Sequence, residues 1–197
     1  LRRDCCSLCF SCKPRRRIYL GPNNPCERRG RPPVETNLFT KISVALAIRH
    51  PSDLNKVLLV RRPAHDKDFP TFWGLPAASC HVDESKESAA HRIGSEKLGA
   101  PILLGLPIGK QTQQRATYIL DMILYEAWLD GNQPVLPVNF SPVSITMYDA
   151  WKWDTPSSLV CLANQGSLCS QILIEATERQ NNLRLENSRP NGGLNSP

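Results

Sequence analysis

No stretch of this sequence approaches the roughly 20 consecutive apolar residues that a membrane-spanning helix needs. The first 35 residues also lack the apolar segment of a secretory signal. With 197 residues, the chain is long enough for one domain with its own core and short for two. These absences predict a cytoplasmic protein with one folded domain and no membrane partner.

Most of the chain lacks a net positive charge, although the whole chain carries +6. Residues 1–33 hold nine Arg and Lys residues against Asp4 and Glu27, which leaves the remainder with one net negative charge. A nucleic-acid-binding domain carries a basic patch on its folded surface. We therefore do not expect the domain to bind nucleic acid. RNA binding through the basic segment 1–35 stays an alternative, and it would be steeply salt-dependent.

Cysteine is also scarce outside the basic segment, which holds five of the eight cysteines. The other three, Cys80, Cys161 and Cys169, are scattered, which predicts free thiols in a reducing compartment rather than a disulfide framework. Within the basic segment the residues that could hold a metal are Cys6, Cys9, Cys12 and Cys26. Their spacing fits a zinc site poorly, because such sites separate two Cys pairs by a longer loop. A flexible extension over residues 1–35 is the favoured prediction.

Alternating and β-branched residues predict two strands at the start of the domain, Lys41–Ile48 and Val57–Val60. The turn residues between them predict that the two strands pair as a hairpin. Residues 102–112 predict another strand, in spite of two glycines and a proline. The almost wholly apolar segment Ala116–Leu129 predicts a strand that is buried on both faces.

Capping residues predict three helices. They run from Ser85 to Gly99, from Thr155 to about Gly166, and from Ser167 to about Ala176. Ser and Thr are favoured N-caps, glycine favours the C-terminal end of a helix, and proline is tolerated at the first helical position. Residues 177–197 are rich in Asn, Arg, Gly and Pro and are predicted to form a disordered tail. The domain is therefore expected to span residues 36–176.

A Gly/Pro turn, Trp73-Gly74-Leu75-Pro76, precedes the first predicted helix, and charged residues follow it at fixed spacings. The residues at these spacings are Glu84, Arg92, Glu96 and Gly99. This arrangement resembles the signature of the Nudix hydrolases, in which Gly, Glu, Arg-Glu, Glu-Glu and Gly recur at the same offsets. The resemblance covers about residues 40–175, and it implies an α/β/α sandwich with a mixed β-sheet.

The same resemblance implies a hydrolase that cleaves a pyrophosphate linkage in a nucleotide or nucleoside diphosphate derivative. Nudix enzymes use Mg²⁺ or Mn²⁺ and an activated water for this reaction. Such hard cations need several oxygen ligands, which a cluster of carboxylates on one helix face supplies. Positions 93, 96 and 97 are spaced to share that face, and the family has glutamate at all three.

This chain departs from the signature at three positions. Ala78 replaces the first glycine, and Ile93 and Lys97 replace two of the glutamates. An ammonium about 4 Å from one unit of positive charge costs roughly 4 kcal/mol at an effective dielectric near 20, and a divalent ion faces about twice that. The usual metal constellation is therefore broken.

The resemblance still assigns roles to the residues that remain. Glu84 and Glu96 would be the remaining acids that bind a metal or a water, and the backbone of Ala78 would be a further metal ligand. Arg92 would orient Glu84. Lys97 would contact a substrate phosphate in place of a metal, and Arg61, Arg62 and Trp73 are further substrate-binding candidates. A cation in a shifted site would use Asp83, Glu84, Glu87 and Glu96. The alternative for Arg92 is an ordinary exposed pair with Glu96.

Downstream candidates carry weaker patterns. Glu126 or Asp121 would offer a further metal carboxylate, or would pair with Arg115 within the strand. Trp151 and Trp153 would stack on a base, although large aromatic residues before a helix are typical packing anchors. Cys80 lacks the basic neighbours that activate a thiol.

Two functions follow. The first is a Nudix-like pyrophosphohydrolase with an altered metal site. The second is a catalytically inactive Nudix fold that binds a nucleotide or a protein, since a binding module has no need of a metal cluster.

Overall fold

Two β-sheets form the centre of the computed structural model, which describes residues 38–66, 68–131, 133–137 and 147–187. The strands of these segments are β1 (Phe39–Ile48), β2 (Val57–Arg61), β3 (Trp73–Gly74), β4 (Ala77–Ser79), β5 (Ile102–Gln114), β6 (Tyr118–Leu129) and β7 (Ala150–Asp154). One sheet has the order β4-β1-β6-β5, in which β1 and β6 are parallel and the other pairs antiparallel. The other sheet has the antiparallel order β3-β2-β7. The expected mixed sheet is confirmed.

The predicted hairpin of β1 and β2 is wrong, because the two strands belong to different sheets. A single bridge between Arg49 and Val57 is the β pairing that the described residues show between these neighbouring segments. β1 instead pairs with β6 over ten residues and with β4 over three. Alternation identifies a strand but carries no information about its partner.

The last six residues of β1 are buried on both faces and separate two hydrophobic cores. Val44, Leu46 and Ile48 lie in one core with the first helix, and Ala45 and Ala47 lie in the other with the last helix. Side chains of a strand alternate between faces, so a strand that is apolar at successive positions needs a layer on each side. The helices supply these layers, which confirms the predicted α/β/α sandwich.

The first helix has the predicted ends but not uniform geometry. It begins as α1 (Lys86–Arg92), with the hydroxyl of Ser85 accepting from the amide of Ser88 at 3.0 Å, and continues as a π-helical segment, Ile93–Leu98. Gly99 ends it with φ of +60°, a left-handed conformation that favours glycine. A Cβ on Gly99 would also lie 2.1 Å from the carbonyl oxygen of Val135.

Strands β5 and β6 form a long hairpin, which confirms the two strands predicted there. β6 packs against both cores, through Leu120, Met122 and Leu124 on one side and Tyr125 and Ala127 on the other. The hairpin is closed by a bond from the amide of Arg115 to the carbonyl of Tyr118 at 2.8 Å. The expectation of a strand with two buried faces is therefore confirmed.

The C-terminal helices depart from the prediction in their ends. A 3-10 turn (Pro156–Leu159) leads into α2 (Val160–Asn164), and α3 runs over Leu168–Asn187. Pro156 lies at the helix start as expected, but the hydroxyl of Thr155 contacts Ser157 and does not cap the helix. α3 continues well past Ala176, so it fills the first part of the segment that was predicted to be a disordered tail.

Among the helices that the structure describes, none combines the length and apolar character that crossing a membrane requires. Several predictions lie outside the described residues. These are the flexible extension over residues 1–35, its cysteine metal site, its RNA binding and the end of the tail beyond residue 187.

Gly94 offers a test of the π-helical segment. Glycine inside a helix costs roughly 1 kcal/mol relative to alanine, so Gly94→Ala would stabilise an ordinary helix. A Cβ at this position would lie 2.8 Å from the carbonyl oxygen of Ala100 and 3.0 Å from Cγ2 of Ile102. We predict that Gly94→Ala lowers the free energy of unfolding by about 1–3 kcal/mol, measured by urea unfolding.

Ser95→Ala is the matched control, because Ser95 is an exposed neighbour in the same segment. It should leave stability unchanged or slightly raised. A Gly94→Ala variant as stable as the Ser95→Ala variant would contradict the tight packing.

Candidate functional site

The backbone of Ala77 in β4 is the point on which a lysine and a tyrosine converge. The ammonium of Lys97 donates to the carbonyl oxygen of Ala77 at 2.6 Å. The hydroxyl of Tyr148 accepts from the amide of Ala77 at 2.9 Å and donates to the same carbonyl at 3.2 Å. Lys97 Nζ also lies 5.5 Å from the centre of the Tyr148 ring, within cation–π range.

Both side chains are buried, and burial shifts the pKa of each. Lys97 is 5% exposed, and this burial, with Arg62 and Arg92 nearby, lowers its pKa to about 8. Tyr148 is 4% exposed, and burial raises its pKa to about 12. At pH 7 the structure therefore holds a buried ammonium beside a neutral phenol. A buried charge is costly unless it is paired or hydrogen-bonded.

Lys97 lies in the π-helical segment, Ile93–Leu98. Positions 93, 96 and 97 were expected to share one face, but Ile93 is fully buried in the core, Glu96 is about half exposed and Lys97 is buried beneath β4. The expectation assumed the α-helical repeat, whereas a π-helix bonds each residue to the fifth one before it and changes the angle between successive side chains. Ile93 and Lys97 are thus both buried, whereas the side chain of Glu96 is about half exposed.

Glu84 and Arg92 form a two-pronged ion pair. Nε and Nη2 of Arg92 each donate to one carboxylate oxygen of Glu84 at 2.7 Å, and Nη2 also donates to the carbonyl of Ser79 at 2.9 Å. The amide of His81 donates to Glu84 at 2.8 Å. These hydrogen bonds, chiefly those of Arg92, lower the pKa of Glu84 to about 2. Arg92 lies 3.9 Å from Glu96, a longer and more exposed contact, so its main partner is Glu84.

The remaining acids near the helix do not gather into a ligand set. Glu87 accepts from the hydroxyl of Tyr125 at 2.9 Å. Within the described segments no three Asp, Glu, His or Cys side chains come together in a way that could hold a metal. A shifted cation site built from Asp83, Glu84, Glu87 and Glu96 is therefore not formed.

The residues present do not fit Mg²⁺ or Mn²⁺. These ions take several oxygen ligands, but position 93 is apolar core, both oxygens of Glu84 accept from nitrogen donors, and the ammonium of Lys97 lies where a third ligand was expected. A divalent cation held at the neighbouring Ala78 would lie close to that ammonium and would meet strong repulsion.

A pocket of about 800 Å³ opens beside Ala77. Its wall near the signature residues includes Ala78, Arg62, Arg92 and Lys97, so the structure brings these four candidates together. The wall then runs past Ser43, Leu120, Met122 and Cys169 to a second basic group that sequence reasoning missed: Lys41, Arg115 and the ring of Tyr118.

Charge in this pocket is unbalanced. Arg62 is neutralised by Asp66 at 3.2 Å and Arg92 by Glu84 at 2.7 Å. Lys41, Lys97 and Arg115 also line the pocket, and among the described residues no carboxylate lies within ion-pair distance of any of them. Asp68 is the acidic residue of the described wall. The pocket is therefore suited to an anion.

Two other substrate-binding candidates lie elsewhere. Arg61 pairs with Asp149 at 2.7 Å, and its guanidinium Cζ lies 5.7 Å from the ring centre of Trp73. Lys152 lies 4.8 Å from the same ring. Trp73 lines a smaller pocket of about 190 Å³ against α2, and neither Trp73 nor Arg61 lines the large pocket.

The downstream candidates have structural partners. Glu126 pairs with Arg49 at 2.9 Å and Asp121 with Lys110 at 3.0 Å, so the expected pairing with Arg115 is wrong. Arg115 instead donates to the carbonyl of Gly166 at 2.8 Å.

The remaining minor candidates are two tryptophans and a cysteine. Trp151 and Trp153 pack against the core beside β2. Burial raises the pKa of Cys80, so its thiol stays protonated at neutral pH.

Sequence comparisons give no relative: no protein-family model and no curated protein matches this chain. Solved structures do match this chain in their fold. The MutT protein of Methanosarcina mazei is 18% identical, with a TM-score of 0.55 over 73% of this chain and 97% of its own. A Nudix hydrolase of Nitrosomonas europaea is also 18% identical, with a TM-score of 0.53 over 72% and 90%.

An Ap4A hydrolase of C. elegans, solved as a binary complex, is 12% identical with a TM-score of 0.51 over 73% of this chain and 99% of its own. These likenesses show that the chain has the Nudix fold, as the sequence resemblance predicted.

The pKa of Glu84 predicts a pH dependence of stability. A carboxyl whose folded pKa is depressed stabilises the protein above its unfolded pKa, near 4.5, and this contribution is lost as the pH falls towards the folded value of about 2. We predict that Glu84→Gln lowers the free energy of unfolding by about 1–2 kcal/mol at pH 7, after allowance for solvent screening.

The measurement is the free energy of unfolding of both proteins between pH 7 and pH 3. The difference between wild type and Glu84→Gln should shrink below pH 4.5. Glu96→Gln is the control, because Glu96 is half exposed and makes only the longer contact to Arg92. A gap that stays constant down to pH 3 would show that the Glu84 carboxylate is not what stabilises the loop.

Proposed function

We propose that this protein binds a nucleotide or nucleoside diphosphate derivative by its phosphates in the large pocket, with the ammonium of Lys97 supplying the positive charge at the signature helix. The proposal rests on which cationic residues of the pocket wall form ion pairs and which do not. Three cations of one pocket have no carboxylate partner among the described residues, and one of them is buried. Anionic ligands satisfy such groups.

Lys97 has the donors that phosphate binding requires. An ammonium carries three N–H donors, and the bond to Ala77 uses one of them. Hydrogen bonds between an ammonium and a phosphate oxygen are charge-assisted and roughly twice as strong as neutral ones. The bond to Ala77 and the ring of Tyr148 hold the side chain in place, so little side-chain entropy is lost on binding.

Arg62 and Arg92 add positive potential without serving as free donors. Both lie in the wall, and both are already bonded to carboxylates. The Glu84–Arg92 pair keeps the loop before the helix fixed through Ser79 and His81. In this proposal the residues of the signature position Lys97 and the loop, and they do not form a metal site.

Affinity without divalent cations tests this function. Lys97→Met keeps the length and apolar stem of the side chain but removes its charge. We predict that it weakens binding of ADP about 10–100-fold in EDTA, because a hydrogen bond to a charged group contributes about 1.5–3 kcal/mol. Isothermal titration calorimetry measures the affinity, and the unfolding midpoint confirms that the variant is folded.

Lys56→Met is the matched control, because Lys56 lies before β2 and pairs with Asp53 outside the pocket wall. Equal affinities of wild type and Lys97→Met would remove Lys97 from the site. Wild-type binding that needs Mg²⁺ or Mn²⁺ would contradict the proposed role of the ammonium.

A second candidate is hydrolysis of the pyrophosphate linkage. The observation that favours it is Glu96, whose half-exposed carboxylate lies one turn from Arg92 and makes no closer contact among the described residues. A carboxylate with an accessible lone pair can take a proton from water. The Nudix fold of the structural neighbours fits this function, while the donor set argues against the family's metal.

Turnover separates the two candidates. If the protein is a hydrolase, product release from a panel of nucleoside diphosphate derivatives, with Mg²⁺, Mn²⁺ or EDTA, should fall at least about 100-fold in Glu96→Gln. Glu178→Gln, an exposed position on α3, is the control and should keep full activity. Absence of product from every compound, with binding retained, would eliminate the hydrolase and leave the binding function.

A further inference from the structure

The end of the pocket away from the signature helix carries its own basic group. Lys41 in β1 places its ammonium 5.4 Å from the ring centre of Tyr118. Arg115 lies in the same hairpin turn as Tyr118, joined to it by the 2.8 Å amide bond that closes the turn. Both cations line the pocket, and Thr117, Gln165 and Ser167 add polar groups there.

Arg115 is held in place by its bond to the carbonyl of Gly166. A guanidinium has five N–H donors, so this bond leaves most of them for a ligand. Neither Arg115 nor Lys41 pairs with a carboxylate in the described part of the chain. Both cations therefore add positive potential at this end of the pocket.

The two basic groups come from different positions along the length of β1. Ala77, whose carbonyl binds Lys97, is in register with Ala45 of β1, and Lys41 lies four residues before Ala45 on the same face. A strand rises about 3.3 Å per residue, so the Cα atoms of Lys41 and Ala45 lie about 13 Å apart along β1, and the long side chains reduce the distance between the charged groups. A nucleotide with phosphate groups at two positions of its sugar can contact both basic groups at once.

The wall between the basic groups suits the middle of such a ligand. Ser43 offers a hydroxyl, bonded to that of Ser79 at 3.2 Å, and Leu120, Met122 and Leu168 offer apolar surface. A sugar and a base present these two kinds of surface, while further charge in the middle would find no partner.

From this arrangement we infer a second anion subsite at Lys41, Arg115 and Tyr118, which makes the ligand a nucleotide with phosphate groups on both sides of its nucleoside. This inference rests on the proposed phosphate binding at Lys97 and adds the chemical class of the ligand. One phosphate contacts Lys97, and the other contacts Arg115 and Lys41.

The test compares ligands that differ only in the second phosphate. Adenosine 3′,5′-bisphosphate and AMP are titrated into the full chain by calorimetry, with the guanosine pair as a check on the base. The bisphosphate should bind at least tenfold more tightly than the monophosphate. Lys41→Gln, Arg115→Gln and the double variant should weaken binding of the bisphosphate much more than binding of AMP.

Several outcomes would overturn the inference. One is equal affinity of wild type for mono- and bisphosphate, and another is an equal loss for both ligands in Lys41→Gln, which breaks no hydrogen bond of the described fold. If AMP binds but the second phosphate adds nothing, phosphate binding at Lys97 stands and the second subsite fails. If neither nucleotide binds, the proposed function fails. Lys97→Met should weaken both ligands, which separates the two subsites.

Discussion

The bond between the ammonium of Lys97 and the carbonyl of Ala77 is the interaction on which the site depends. It places a positive charge in a buried position, and that charge has no carboxylate partner among the described residues. The π-helical segment turns Lys97 towards β4, and Tyr148 fixes the same peptide group from the other side. The positive charge at this end of the pocket and its poor fit to divalent cations both follow from this one contact.

The structure separates the frame of a Nudix site from its metal chemistry. The loop, the capped helix, Glu84 bonded to Arg92 and the left-handed Gly99 are all present. The carboxylate face is absent, because Ile93 lies in the core and the ammonium of Lys97 is bonded to the carbonyl of Ala77. Backbone bonds and packing hold the loop and the helix in place, whereas a few side chains determine whether a metal can bind. The fold can therefore persist when the metal chemistry does not.

Local signals in the sequence predicted local features well. Ser85 and Gly99 mark the helix ends because capping depends on residues within a few positions of each other, and the apolar run of β6 predicted its two buried faces. The π-helical geometry escaped prediction because the spacing argument assumed the α-helical repeat. Lys41 and Tyr118 come together through the parallel pairing of β1 and β6, a contact between distant residues that leaves no local pattern.

The connection between β6 and β7 is attached to the fold on both sides of the buried ammonium. The amide of Val135 donates to the carbonyl of Leu98, the residue that follows Lys97. The hydroxyl of Tyr148 bonds to Ala77, whose carbonyl accepts from Lys97. The position of the buried charge is thus set in part by two contacts from residues that lie far from Lys97 in the sequence.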